Sequence, residues 1–79
     1  MPMREQFMRT AAQEAMDGVK KGHGGPFGAV IVKDNRIIAK AHNEVIKNND
    51  PTDHAEMIAI RSAAKKLGRF DLSDCELYT

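Results

Sequence analysis

Apolar positions along this chain change their period several times, and each change marks an element. Between residues 3 and 21 they recur every three or four residues. Met3, Phe7, Ala11 and Ala15 form one row, with Met8, Ala12, Met16 and Val19 beside it. That spacing predicts a helix with a broad apolar stripe, its methionines in the core and Lys20, Lys21 and Gly22 at its C-terminus. The cluster Gly22-His23-Gly24-Gly25-Pro26 breaks helical geometry and requires a loop. Phe27 to Lys33 is a short continuous apolar run, the pattern of a strand covered on both faces. Asp34-Asn35 predicts a turn, and Arg36 to Ala41 the returning strand of a hairpin. Residues 42 to 52 are polar and predict a loop. A second helix is expected from about Asp53 to Leu67, with Met57, Ile60, Ala64 and Leu67 facing the core and Gly68 as its stop. Cys75 to Tyr78 predicts a further short strand. The order α-β-β-α-β makes an α/β unit whose hairpin sheet needs helices on its faces.

Seventy-nine residues are enough for one small domain with a marginal core. Twelve basic and eleven acidic side chains leave a net charge of +1 without a long basic run, so nucleic acid is not an expected partner. Apolar runs fall far short of the roughly 18 residues that a membrane span needs. Residues Met1 to Thr10 mix Arg4, Glu5 and Gln6 with Met and Phe, unlike a secretory leader. A single cysteine excludes an internal disulfide and suits a reducing compartment, so a cytoplasmic location is expected.

The chemistry concentrates in Asp53-His54-Ala55-Glu56, after the turn Asn48-Asn49-Asp50-Pro51-Thr52. An imidazole and a carboxylate two residues apart at a helix start can meet at one concave site. This is the first half of the H-x-E…P-C-x-x-C signature of zinc base deaminases. Several segments together resemble the cytidine-deaminase-like zinc enzymes. They are Gly24-Gly25-Pro26-Phe27-Gly28-Ala29-Val30-Ile31-Val32, His42-Asn43, Asp50 to Glu56, Ala59-Ile60-Arg61 and Leu77-Tyr78-Thr79. The Gly-Gly-Pro-Phe-Gly spelling and the Asn-Asp-Pro-Thr approach look most like the bacterial guanine-deaminase branch.

The resemblance implies the N-terminal part of one cytidine-deaminase-like domain, an α/β/α sandwich, over residues 1–79. It further implies His54 as a zinc ligand and Glu56 as the general acid–base that moves the water proton to the base. Asn43, Phe27 and the Ala55 amide would bind the base, most simply guanine going to xanthine and ammonia. The thiolate segment that would complete the Zn2+ site is not among these residues, and His54 alone is too few ligands to retain zinc. A homodimer or a second chain supplying the missing half is therefore an expected partner. The alternative is a non-catalytic deaminase module whose open sheet edge pairs with another chain.

Each of these residues also has a plainer reading. His54 can be an exposed histidine at a helix start. Glu56 can close a capping box with Asp53 as N-cap. Asn43 can cap a turn, and Phe27 can belong to the core. His23 is expected to be solvated in its glycine loop and His42 to be structural. Cys75, with no second cysteine near it, reads as a small buried hydrophobe.

Overall fold

The hairpin at the centre of the chain organises everything else. A computed structural model describes residues 3–79, the side chain of Met3 excepted. Strand β1 (Gly28–Lys33) pairs antiparallel with β2 (Arg36–His42) on one side and with β3 (Glu76–Tyr78) on the other, giving the order β2-β1-β3. The turn residues Asp34 and Asn35 both have positive φ, 51° and 61°. Two positive φ values are what a two-residue type I′ hairpin demands, and Asp and Asn tolerate them. Ile31 pairs with Ala39 but Val32 with Ile37, so a bulge at Ile38 shifts the register and bends β2.

Helix α1 (Met3–Lys20) covers one face of this sheet and α3 (Ala55–Leu67) the other. Alternation along β1 divides its side chains between them. Val30 and Val32 pack with Phe7 and Ala11 of α1, while Ala29 and Ile31 pack with Ala55, Ala59 and Ala63 of α3. The strand is thus buried on both faces, as its unbroken apolar run requires. Tyr78 of β3 closes the α1 side, its ring centroid 5.3 Å from that of Phe7.

Three expectations are corrected. The face of α3 against the sheet is an alanine stripe, 55, 59 and 63, and not Met57, Ile60, Ala64 and Leu67. Met57 is exposed, and Ile60 is only half-buried at the edge of the cluster. Both stripes have helical spacing; the one without long side chains lets the helix approach the sheet closely. On α1 only Phe7 and Ala11 of the described stripe are fully buried, whereas Met8, Met16 and Val19 are exposed, so Met8 and Met16 are not core. The polar segment after β2 contains a short helix, α2 (Val45–Asn48), where a loop was expected.

The stop of α3 falls where the sequence puts it. Gly68 takes φ 69° and its N–H bonds to the Ala64 carbonyl, an αL helix stop. Gly28 lies against α1 so closely that a Cβ there would sit 2.0 Å from the Ala11 carbonyl oxygen. Among the described residues no helix is long and apolar enough to cross a membrane.

Candidate active site

The start of α3 is set by the turn before it. Asp50 Oδ1 accepts bonds from the Thr52 N–H at 2.8 Å and the Thr52 hydroxyl at 2.7 Å. Those bonds hold the Asp50 carboxyl below its ordinary range. Asp53 is buried and accepts from Asn48 at 2.7 Å and from the Arg61 guanidinium at 2.9 Å. It therefore joins α2 to the middle of α3 and is not the N-cap. Helix α3 begins at Ala55 with His54 in the N-cap position, φ −73° and ψ 152°, without a side-chain cap bond.

That placement overturns the capping box. With Asp53 engaged by Asn48 and Arg61, Glu56 is the second helical residue and its carboxylate makes no hydrogen bond among the described residues. Glu56 and His54 are both exposed at the helix start. Ala55 between them is buried against the sheet, and its amide belongs to the first helical turn, which has no intrahelical acceptor.

Asn43 follows β2 directly and is buried. Its N–H donates to the Phe27 carbonyl at 3.0 Å, and its Oδ1 accepts from the Val45 N–H at 3.0 Å. The side chain thus caps the turn into α2, which fixes the amide orientation and leaves Nδ2 as a donor without a protein partner among the described residues. Gly24 lies against it, since a Cβ at that position would fall 2.1 Å from Oδ1. The glycine in the loop is there because the Asn43 amide fills the space.

A cavity of about 610 Å³ gathers these groups. Phe27, Asn43, His54, Ala55 and Glu56 all line it, with Met8, Ala12 and Met16 of α1 forming the apolar wall. Phe27 is 60% exposed, a cavity-wall residue and not a core one. The enclosure is mostly apolar with a few convergent polar groups, and its volume lies within the usual range of small-molecule sites.

Residues 1–79 match the family model for the cytidine and deoxycytidylate deaminase zinc-binding region. The chain belongs to that family. Guanine deaminase of Bacillus subtilis is 57% identical over 75 residues, covering 95% of this chain and 48% of the relative. Its X-ray structure superposes with a TM-score of 0.90 over 94% of this chain and 47% of that one. The tRNA-specific adenosine deaminase of Aquifex aeolicus is 48% identical over 75 residues, 95% of this chain and 49% of the relative. A structure from a study of tRNA:A34 deaminases superposes with a TM-score of 0.92 at 39% identity, over 98% of this chain and 58% of that one. The chain spans about half the length of the curated relatives it matches.

The family's metal is zinc, and the donors fit that metal in part. A catalytic zinc takes three protein ligands, and His54 offers one exposed imidazole at the cavity. Cys75 does not join it. That thiol is half-buried against the α3 cluster, and burial followed by the Asp74 carboxylate at 3.5 Å pushes its pKa up. A raised pKa makes a poorer thiolate ligand.

A second polar group was missed. His23 is partly buried and not solvated, with Nδ1 2.8 Å from His42 Nε2. His42 is buried, and its Nδ1 lies 3.0 Å from Glu14 Oε1. Gly18 of α1 lies against the His42 ring, where a Cβ would fall 2.7 Å from Cδ2. These residues come from α1, the glycine loop and the end of β2. No sequence spacing announces such a meeting.

Proposed function

We propose that this chain carries the base-binding and proton-moving half of a zinc-dependent nucleobase deaminase, with guanine as the substrate. The observation behind this reading is the shared cavity, in which His54, Glu56 and Asn43 converge and the Glu56 carboxylate is not used as a helix cap. The 57% identity to a guanine deaminase supports the choice of base over the tRNA adenosine alternative, whose named relative is 48% identical.

In this reading His54 holds zinc through a ring nitrogen, with the remaining ligands drawn from outside these residues. Zinc, when bound, supplies a water acidified toward neutrality. Glu56 accepts a proton from the attacking water and delivers it to a ring nitrogen of the base. Water adds at the amine-bearing carbon and ammonia departs, so guanine becomes xanthine. The free Nδ2 of Asn43 donates to an acceptor on the base edge, and its rigid Oδ1–Val45 bond keeps that donor aimed. Phe27 and the α1 methionines cover the ring faces and exclude water.

Ammonia release from the zinc-loaded protein that carries this chain tests the proposal across guanine, adenine, cytosine, cytidine and an adenosine-containing tRNA anticodon stem. Guanine should be fastest; a clear preference for the tRNA or a pyrimidine refutes the substrate. Glu56→Gln should lower turnover on the order of 100-fold or more, while shifting stability by less than about 1 kcal/mol. His54→Ala should lose both zinc and activity. Wild-type turnover in Glu56→Gln would remove Glu56 from the reaction.

A further inference from the structure

We propose that His23, His42 and Glu44 form a second divalent transition-metal site, separate from His54, that clamps the glycine loop to the end of β2. One ligand atom from each of the three lies within 4.8 Å of the other two. His42 Nε2 is the hub, 2.8 Å from His23 Nδ1 and 3.7 Å from Glu44 Oε2. A tetrahedral ion with bonds near 2.0–2.1 Å needs donor edges of about 3.3 Å. The His–His edge must therefore open by about half an ångström and the His–Glu edge close by slightly less. The third edge, His23 to Glu44, is at most 4.8 Å and must close by up to about 1.5 Å, a shift that falls to the half-buried His23 and Glu44 side chains and not to the buried His42 ring.

The surroundings suit a cation. Glu14 accepts from the Nδ1–H of His42 at 3.0 Å, which leaves Nε2 as an acceptor; it meets His23 Nδ1 at 2.8 Å, a hydrogen bond that an ion would replace, with the His23 proton moving to its own Nε2. A carboxylate behind a ligating histidine is the usual support of a bound metal. Gly18 packs against the same ring and holds its plane. Glu14 and Glu44 bring two negative charges to two imidazoles. Among the described residues Lys47 is the single Lys or Arg within 4 Å of either carboxylate, 3.6 Å from Glu44 and half-exposed. It can swing into water when an ion enters. Two imidazoles and a carboxylate favour zinc, nickel or copper over magnesium or calcium. The expectation that this chain holds no zinc rested on His54 alone, and this second cluster changes it.

The consequence for the fold is local. The His23 carbonyl already accepts from the Ile46 and Lys47 amides at 2.9 and 3.0 Å, and Gly24 follows against Asn43. A metal joining His23 to His42 and Glu44 would fix the loop that positions the base-binding amide.

Calorimetric titration of the tag-free chain with zinc and with nickel decides the matter. About one ion per chain with a micromolar dissociation constant is expected, unchanged in His54→Ala. Binding should weaken at least about tenfold in His23→Gln and in Glu44→Gln, and about tenfold in Glu14→Gln, which lies outside the ligand set. Circular dichroism confirms that each variant is folded. No binding, or binding lost in His54→Ala but kept in His23→Gln and Glu44→Gln, overturns the proposal. Because the readout is ion binding to these variants, its failure is distinct from a failure of the deaminase reading.

Discussion

Gly28→Ala is the substitution that the structure opposes most directly. The added Cβ would lie 2.0 Å from the Ala11 carbonyl oxygen and 2.8 Å from the Ala15 backbone nitrogen. Both obstacles are helix backbone, so no side chain can rotate away. Restoring an ordinary contact of about 3.4 Å requires α1 to recede about 1.4 Å from β1. That movement loosens Phe7 and Ala11 from Val30 and Val32, the whole buried cluster on that face. Overpacking in a core costs about 1–3 kcal/mol, and a rigid obstacle belongs at the top of that range. A domain of this length holds about 4–12 kcal/mol in total, so a loss of about 3 kcal/mol is a quarter or more of it. Urea unfolding followed by circular dichroism would show a lower midpoint at unchanged slope. A loss below about 1 kcal/mol would mean that α1 does not sit directly on β1, and the wall of the cavity would need to be redrawn.

Asp53→Ala should destabilise the chain by about 2 kcal/mol, because a buried carboxylate that accepts from both Asn48 and Arg61 is removed. A midpoint within experimental error of wild type would return Asp53 to the role of a solvated turn residue. The lowered pKa of His23 sets a pH dependence with a definite sign. The unfolded chain binds the His23 proton more readily than the folded one, so stability rises with pH. His23's contribution is fully present above about pH 6.5 and is lost as pH falls from there toward the folded-state pKa. His23→Gln should flatten that slope between pH 7.5 and 5.5, and a ring-proton titration midpoint of His23 at or above about 6.5 would refute it.

Where one residue's stereochemistry or a strictly local pattern decides an element, the sequence was sufficient. Asp34-Asn35 supplied the two positive φ values of the hairpin turn, and Gly68 stopped α3. The unbroken apolar run after Phe27 read as a strand covered on both sides, and it forms one. The family, and with it zinc, was legible in Gly24 to Gly28, His42-Asn43 and Asp50 to Glu56. Choices between equivalent local options were left to the tertiary structure. Helical spacing allowed two stripes on α3, and the sheet selected Ala55, Ala59 and Ala63 because only small side chains permit its close approach. Asp53 had the spacing of a capping residue, but Arg61 two turns away and Asn48 in α2 claimed its carboxylate and freed Glu56. His23 and His42 are 19 residues apart and Glu14 belongs to another helix. Their meeting exists only once α1 and the hairpin have packed together, and contacts that distant along the chain leave no periodic trace in it.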